Sequence, residues 1–292
     1  QASGRYKPRT QHCRFLFSQC CRASEVALKF APIAATIMAT TNGDVQKMQD
    51  FLDSNQYSQL SISRYERIFG RTFVSTGGVT TTEVLSQKLN LKPGQRVLDV
   101  GCGLGGSAFY LASKYGVSVL GLDLSRNMIN RAKEYLSMQD EAVKKLVSFD
   151  VQDILKVDLP PNSFDAVYSR DAILHIENKE KLFKRLFDWV KPGGELLITD
   201  YCRGMPDCGE EFEAYVQKRG YRLLTVPAYG QLLTDAGWEN VQDIDNTQEF
   251  KDVMLEFSLE DYNELEVGWN KKLRWLANNW HSWGLFIASK PN

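Results

Sequence analysis

A glycine-rich segment follows a short apolar run and opens a helical pattern, with the spacing GxGxxG from Gly101 to Gly106. Glycines permit a tight turn and let the backbone approach a ligand closely. The spacing alone is weak evidence, because nicotinamide and flavin enzymes use it to bind a pyrophosphate at a helix N-terminus. Here Asp99 lies at the end of the preceding run, where its charge would repel a pyrophosphate. A carboxylate at this place suits the amino-acid half of S-adenosylmethionine, which carries an ammonium and a sulfonium.

Two further acids lie at the ends of the next two apolar runs. Asp123 lies near the end of SVLGLDL, and a carboxylate there can bind both hydroxyls of a ribose. Asp153 follows the next run and can accept a hydrogen bond from an adenine amino group. Each acid alone is equally consistent with an ordinary strand-end residue, whereas the three together with the glycine segment favour a cofactor site. The predicted cofactor contacts are Asp99, Gly101, Gly103, Asp123, Leu124, Asp153, Ile154 and Ser169.

A third polar segment, SRDAILH from Ser169 to His175, follows the fourth apolar run. Methyl transfer is an in-line displacement, and positioning of the reactants can supply about 7–11 kcal/mol of barrier reduction. An amine acceptor is protonated at neutral pH, so a base must also remove a proton. A lone histidine is more often structural, but the position of His175, four residues after Asp171, favours a base. Asp171 can hold a cationic nitrogen by charge, whereas His12 and His281 are interpreted as residues without a catalytic role.

A group of tyrosines and cations further along the chain has the chemistry of an anion site. Tyr215 and Arg219 share one helix face, and Tyr221 follows them. Tyr201 lies at the end of the fifth predicted strand, and Lys272 lies on a late helix. Tyrosine hydroxyls with one Arg and one Lys form a plausible phosphate cage. Taken alone, such residues are more often surface or packing groups.

The elements that must position these residues alternate between apolar strands and amphipathic helices. Near-continuous Val, Ile and Leu runs between helices indicate a parallel sheet covered on both faces, in one doubly wound α/β domain. The strands are predicted at 96–101, 118–124, 146–151, 164–170, 195–201, near 241 and at 283–288. The helices are predicted within 44–69 and at 80–88, 105–116, from the cap at Ser125 through 136, at 179–190, 210–220, 226–237 and in one long helix through 269. The predicted domains are a tail at 1–37, a helical lid at 38–90 and the α/β domain at 91–292.

Composition limits the classes of partner. The formal net charge of −1 gives no basic field for non-specific nucleic-acid binding, and no apolar run reaches the ~18–20 residues that span a bilayer. The six cysteines lack the paired CxxC spacing of a zinc site, so we expect reduced thiols. Residues 1–37 are rich in Arg and Lys with one acid, Glu25, as in a transit peptide. Because Met38 is the first methionine in a plausible start context, translated upstream sequence or a fragment junction is favoured over targeting.

Four motifs together resemble the class I S-adenosylmethionine-dependent methyltransferases. The resemblance covers about residues 97 to 200 and is specific as a set. It implies a Rossmann-like sheet of seven strands whose last strand, predicted at 283–288, runs antiparallel. The motifs are VLDVGCGLGG at 97–106, GLDLS at 121–125, NSFDAVYS at 162–169 and KPGG at 191–194.

A closer resemblance, from about residue 50 to the C-terminus, is to the phosphoethanolamine N-methyltransferases. It rests on NQY at 55–57, YERIFG at 65–70, VSTGG at 74–78, SRDAILH at 169–175, LLITDYC at 196–202, EAYVQKRGY at 213–221 and GWNKK at 268–272. The resemblance implies that Tyr57 and His175 form a catalytic dyad. It also implies phosphobase contacts from Gln56, Tyr65, Ser75, Asp171, Tyr201, Tyr215, Arg219, Tyr221 and Lys272.

The activity implied by this resemblance is methylation of phosphoethanolamine, or of its mono- and dimethyl forms, to phosphocholine for phosphatidylcholine synthesis. Plant members carry two tandem domains, and this chain resembles the half that methylates the two methylated forms; single-domain members can perform all three steps. We expect a monomeric cytoplasmic enzyme that needs no metal, binds no nucleic acid and does not insert into a membrane. The alternatives are a class I methyltransferase acting on a sterol or tocopherol ring, a catalytically silent cofactor-binding homologue, and a nicotinamide oxidoreductase.

Overall fold

The computed structural model describes residues 43–256 and 263–292. The predicted tail at 1–37 therefore lies outside the described residues. Among the described helices, none is long and apolar enough to cross a membrane.

The helices and strands follow one another in a nearly regular α/β alternation. The strands are β1 (Arg96–Val100), β2 (Ser118–Asp123), β3 (Val147–Val151), β4 (Phe164–Arg170), β5 (Val190–Arg203), β6 (Glu239–Asp245) and β7 (His281–Ser289). The helices before the sheet are α1 (Gly43–Phe51), α2 (Gln59–Phe69) and α3 (Gly78–Ser86). Those after β1 are α4 (Gly106–Tyr115), α5 (Arg126–Ser137), α6 (Glu141–Leu146), α7 (Lys179–Trp189), α8 (Glu210–Arg219), α9 (Val226–Asp235), α10 (Thr247–Glu256) and α11 (Asn263–Ala277).

The seven strands form one sheet in the order β3-β2-β1-β4-β5-β7-β6. Strands β1 to β5 pair in parallel, and β7 is antiparallel to both of its neighbours. The predicted class I methyltransferase fold, with seven strands and an antiparallel last strand, is confirmed. Since parallel strands end at the same edge of a sheet, the segments that follow β1, β2, β3 and β4 converge there.

Helices cover both faces of the sheet, as the apolar runs predict. Successive residues of β1 belong to different hydrophobic clusters, because neighbouring side chains of a strand point to opposite faces. Val97 packs with residues of α4 and α5, whereas Leu98 packs with residues of α7 and α9. The sheet therefore lies between two layers of helices, and its carboxyl edge is free to carry a site.

The N-terminal segment, residues 43–90, is interrupted before the sheet begins. A π-helical turn, Leu52–Gln56, follows α1, and Tyr57 N–H donates to Leu52 O at 2.8 Å. Ser58 then caps α2, since its hydroxyl accepts from Ser61 N–H at 3.4 Å. π-helical turns such as Leu52–Gln56 are frequent at functional sites in proteins. This interruption places Tyr57 at the junction between two helices.

Several elements differ from the sequence prediction, among them the short helix α6, which was not predicted. The strand predicted at 195–201 begins earlier, at Val190. The KPGG segment is an irregularity inside β5 and not a turn before it. On its two sides, Val190 pairs with Phe164 and Glu195 pairs with Ala166, so the register shifts between them. A further helix, α10, precedes the long helix through Trp269 and was not predicted. Its start is fixed by side chains, since Asn246 Nδ2 donates to Glu249 Oε2 at 2.6 Å.

Candidate active site

One large cavity opens at the carboxyl edge of the sheet, beneath the N-terminal segment. It holds about 1270 Å³ of space not filled by atoms, part of it open to solvent. Of the sequence-predicted site residues, all except Asp99 and Ser169 line it. The lining residues from that set are Gln56, Tyr57, Tyr65, Ser75, Gly101, Gly103, Asp123, Leu124, Asp153, Ile154, Asp171, His175, Tyr201, Tyr215, Arg219, Tyr221 and Lys272. The fold thus gathers residues from both ends of the chain into one cavity.

The glycine segment after β1 forms one wall of this cavity. Gly101 has a φ of +71°, and a Cβ added there would lie 2.2 Å from the Cβ of Ala172. Gly103 also has a positive φ, and its N–H donates to Asp123 Oδ2 at 3.0 Å. Because both positions need left-handed backbone, side chains would strain the turn. The turn leaves the backbone itself open to a ligand.

Asp123 is the last residue of β2, and Asp153 follows the end of β3. Backbone N–H groups orient both carboxylates. Asp123 Oδ1 accepts from Ser125 N–H at 2.8 Å, and burial raises the pKa of Asp123 to about 6. Asp153 Oδ1 accepts from Leu155 N–H at 2.9 Å. Each carboxylate keeps further acceptor capacity toward the cavity, since a carboxylate has about four lone-pair sites.

Asp99 occupies a different place from the other acids. It is 2% exposed and lines a small adjoining cavity with Gly101, Gly103 and Arg170. Its Oδ2 has no hydrogen-bond partner within the described part of the chain. Burial, and next the charge of Asp123, raise the pKa of Asp99 to about 7. A buried acceptor without a donor costs free energy, so this carboxylate fits a ligand that brings a cation.

Ser169 is likewise outside the large cavity. Its side chain is fully buried, and its hydroxyl donates to Val100 O at 2.7 Å. This hydrogen bond joins the ends of β4 and β1. In this structure the Ser169 side chain therefore supports the glycine turn from behind.

Tyr57 and His175 meet across the cavity. The Tyr57 hydroxyl lies 3.2 Å from His175 Nε2, within hydrogen-bond distance. His175 ends a 3-10 turn, Ile173–His175, that follows β4. Burial, followed by the positive charges of Lys179 and Arg219, lowers the pKa of His175 to about 3. The imidazole is therefore neutral near neutral pH and can accept a proton.

The pKa of the Tyr57 hydroxyl is shifted in the opposite direction from that of His175. Burial raises the pKa of Tyr57 well above its ordinary value, so the phenol stays protonated. Tyr221 packs edge-on to His175, with ring centroids 5.2 Å apart. A protonated phenol beside a neutral imidazole can pass a proton inward without either group being charged beforehand.

Cations and tyrosines concentrate at the other end of the cavity. Lys272 Nζ donates to the Tyr201 hydroxyl at 3.4 Å and lies 4.5 Å from the centre of its ring. The Arg219 guanidinium lies 5.7 Å from the Tyr215 ring centre. Burial, followed by the charge of Arg219, lowers the pKa of Lys272 to about 8. Two half-buried cations with phenolic hydroxyls beside them have the chemistry of an anion site.

Asp171 lies between these two ends and is held by three donors. Its Oδ2 accepts from Thr76 N–H at 3.1 Å. Its Oδ1 accepts from Thr199 Oγ1 at 3.0 Å and from Trp283 Nε1 at 2.7 Å. Its backbone has a φ of +51°, which few non-glycine residues adopt. The carboxylate thereby joins the N-terminal segment to β5 and β7, and it also lines the cavity.

Two residues that shape this site, Asn127 and Trp269, were not predicted as site residues from the sequence. Asn127 Nδ2 donates to Asp53 O at 3.1 Å and to Tyr57 O at 2.9 Å, so it holds the π-helical turn from α5. Its partners are 70 and 74 positions away. Trp269 also lines the cavity and packs on Phe69, with ring centroids 6.0 Å apart. The motif GWNKK at 268–272 contains this tryptophan, but only Lys272 was selected from it as a site residue.

His281, which the sequence analysis interprets as a residue without a catalytic role, does not line the large cavity. It is fully buried among the rings of Tyr201, Phe212 and Phe250. Burial holds the pKa of His281 well below its ordinary value. The imidazole is therefore a neutral part of the aromatic packing behind the anion site.

The chain matches proteins of known name over most of its length. A family described as a methyltransferase domain matches residues 91–272. Phosphoethanolamine N-methyltransferase 1 of Arabidopsis thaliana is 48% identical over 257 residues, which are 83% of this chain and 52% of that protein. The phosphoethanolamine N-methyltransferase of Plasmodium falciparum is 36% identical over 276 residues, which are 87% of this chain and 99% of that protein. This chain spans about half the length of the plant relatives that it matches.

A solved structure agrees with both the fold and the sequence. Haemonchus contortus phosphoethanolamine N-methyltransferase 2, in complex with phosphomonomethylethanolamine and S-adenosylhomocysteine, matches with a TM-score of 0.79 and 37% identity. The match covers 84% of this chain and 60% of that one. The chain therefore belongs to the phosphoethanolamine N-methyltransferase family, as its motifs predicted.

Proposed function

We propose that this chain transfers the methyl group of S-adenosylmethionine to the nitrogen of phosphoethanolamine or of its mono- and dimethyl forms, with phosphocholine as the final product. The observation that carries the proposal is the 3.2 Å contact between Tyr57 and His175 in a cavity with a glycine turn at one end and two half-buried cations at the other. Such a cavity can hold a cofactor and a phosphorylated amine with a proton acceptor between them.

The glycine end fits the cofactor. S-adenosylmethionine, when bound, supplies an electrophilic methyl group on a positively charged sulfur. The Asp99 oxygen that lacks a donor suits the ammonium of its amino-acid half. Asp123 would accept from the ribose hydroxyls, and Asp153 with Ile154 would hold the adenine. The uncompensated buried carboxylate supports this assignment, since a pyrophosphate would add a second negative charge there.

Tyr57 and His175 would remove the proton of the amine. The ammonium donates to the Tyr57 oxygen, whose own hydrogen is donated to His175 Nε2, and the proton leaves the nitrogen along this path. The lone pair on nitrogen then faces the methyl group. A phosphate bound by Arg219 neutralises one of the two charges that weaken His175 as a base. Binding of the substrate thereby strengthens the base that acts on it.

The phosphate would be fixed by Arg219, Lys272 and the hydroxyls of Tyr201, Tyr215 and Tyr221. Charged phosphate contacts are about twice as strong as neutral hydrogen bonds. A sterol or tocopherol ring would instead need an apolar wall where these groups lie. The two cations that line the cavity therefore favour the phosphobase over the ring substrates.

The domain assignment is part of the same proposal. We infer that residues 38–90 act as a lid, because Tyr57 and Tyr65, which belong to this segment, line the cavity. A substrate enclosed by the lid would be shielded from water during transfer. The cytoplasmic location and the monomeric state stay predictions.

The test uses the purified chain with S-adenosylmethionine and, in separate reactions, phosphoethanolamine and its mono- and dimethyl forms, with the methylated products quantified. Turnover of all three indicates a complete route to phosphocholine. Turnover of only the methylated pair indicates the later steps of a divided route. Cofactor binding without turnover of any of the three would contradict the proposed function.

A further inference from the structure

A buried lysine lies directly behind the turn that carries His175. Lys179 is 3% exposed and is the first residue of α7. A helix N-terminus carries partial positive charge, so a cation is unfavourable at this place. Taking an ammonium out of water is also costly unless it is paired and hydrogen-bonded. Lys179 therefore needs compensating partners, and these show what it holds.

The partners are the two carbonyls on either side of the His175 turn. Lys179 Nζ donates to Ile173 O at 2.9 Å and to Ile176 O at 2.7 Å. Ile173 begins the 3-10 turn and Ile176 follows its last residue, His175. One ammonium thus binds the backbone before and after the imidazole. A shift of either carbonyl would move Nε2 relative to the Tyr57 hydroxyl.

The remaining charge compensation comes from β5. Burial lowers the pKa of Lys179, and the carboxylate of Asp200 opposes that shift. Asp200 is fully buried and accepts from Tyr201 N–H at 3.1 Å. Tyr201 belongs to the proposed phosphate cage. Burial raises the pKa of Asp200 to about 8, and the positive charge of Lys179 opposes this shift, so the two groups influence each other electrostatically.

We propose that Lys179 is a positioning residue for His175, which fastens both ends of the turn and so sets the place of the imidazole against Tyr57. This inference rests on the proposed function. Lys179 itself touches no substrate. Its effect on methyl transfer is exerted through His175, and it disappears when the imidazole is absent.

The charge of Lys179 has a second consequence at the same ring. The groups that face His175 are Tyr57 from the π-helical turn, Tyr221 and Arg219 from the end of α8, and Lys179 from α7. Of these, Lys179 and Arg219 favour the neutral imidazole. Removal of the Lys179 charge therefore raises the pKa of His175, which an NMR titration of the ring nitrogens can follow without substrate.

The experiment is a double-mutant cycle with Lys179→Met and His175→Gln in the full chain. We expect Lys179→Met to lower kcat about 100-fold, since a displacement of the order of 1 Å can cost that much. The phosphobase KM and the Kd of S-adenosylmethionine should change little. In the His175→Gln background the same substitution should have no further effect on kcat, because residues that act as a unit are not additive. Lys181→Met, at an exposed position of the same helix, is the matched control and should behave as wild type.

Each outcome decides the question. A folded Lys179→Met variant with wild-type kcat and an unchanged His175 titration overturns the inference. An equal loss of kcat in the wild-type and His175→Gln backgrounds also overturns it, because that result indicates a general structural role. If Lys179→Met does not fold, Lys179→Gln takes its place in the cycle, because it removes the charge and its side chain is one atom too short to bind both carbonyls as Lys179 does; the same loss of kcat and the same dependence on His175 are then expected. If the wild-type chain methylates no phosphobase, the proposed function fails, and the His175 titration in the Lys179 variant still decides whether the lysine acts on the imidazole.

Discussion

The two residues of the proposed dyad are held in different ways. Tyr57 lies in the N-terminal segment, whose π-helical turn is attached to the sheet domain by hydrogen bonds, such as those from Asn127 and from Gln56 Nε2 to Arg219 O at 2.7 Å. His175 lies on a turn packed into the interior, beside the buried side chains of Leu174 and Lys179. A few hydrogen bonds can open at modest cost, whereas a packed turn cannot move without disturbing the core. From this comparison we predict that the N-terminal segment with Tyr57 moves more readily than the turn with His175.

The strongest test of the fixed side is His175→Gln. The variant keeps a similar volume but loses the proton acceptor, so kcat should fall by about 100- to 10,000-fold, the usual range for a general base. The Kd of S-adenosylmethionine, measured by calorimetry, should stay within about twofold of wild type, because the ring is far from the acids at the glycine end. Turnover close to wild type would remove His175 from the mechanism.

Asp99→Asn tests the proposed cofactor site, which, like His175, belongs to the sheet domain and not to the N-terminal segment. Loss of a charged contact of about 1.5–3 kcal/mol should raise the Kd of S-adenosylmethionine about 10- to 100-fold. The folded-state pKa of Asp99, about 7, lies above its ordinary value of 3.8, so its ionisation destabilises the fold progressively as pH rises from about 4 through 7. The variant should therefore have a higher Tm than wild type at pH 8 without ligand. A lower Tm together with unchanged affinity would contradict this assignment of Asp99.

Asn127→Ala tests the movable side. It removes two hydrogen bonds that hold the π-helical turn, each worth about 1 kcal/mol, so kcat should fall about tenfold. Hydrogen exchange at residues 52–57 should become faster while the Tm of the sheet domain is retained. Asn130→Ala, at an exposed position of the same helix, is the control. Unchanged exchange in Asn127→Ala would mean that the turn is held by other contacts.

The smallest effect concerns the pH dependence of phosphate binding. A lysine is charged below its pKa, and the pKa of Lys272 is lowered to about 8 by burial and Arg219, with Asp171 opposing. Tyr201 and His281 complete the groups that face it. The phosphobase KM should therefore rise between pH 7 and pH 9, by at most about tenfold per pH unit. Lys272→Met should flatten this dependence, whereas Asn127→Ala should leave it intact, since the phosphate contacts do not come from the turn that Asn127 holds.

The sheet and the cofactor end were predictable because their signals are local. Asp99, Gly101 and Gly103 lie within five positions of one another, and the alternation of apolar runs with helices fixes the layers. The fold class was confirmed for this reason. The KPGG segment misled the prediction of β5, since a sequence cannot show that a strand continues through an irregularity when its neighbours pair on both sides.

The attachments of the dyad could not be predicted. Asn127 reads as a surface residue of an amphipathic helix, and its partners lie 70 and 74 positions earlier in the chain. Lys179 was noticed only as the start of a helix, because a lysine in a sequence gives no sign of burial. Tyr57 came from the family resemblance alone. Its meeting with His175, 118 positions away, depends on the tertiary structure.

The position of β7 in the sheet has a consequence for biosynthesis. Among the described strands it comes last in sequence order, yet it lies between β5 and β6, and its Trp283 indole N–H donates to Asp171. A nascent chain that has emerged only as far as α11 already contains the glycine turn, Tyr57 and His175, but β6 has no adjacent strand to pair with and Asp171 lacks one of its donors. The cavity can therefore reach its final shape only after β7 has been synthesised and has emerged from the ribosome.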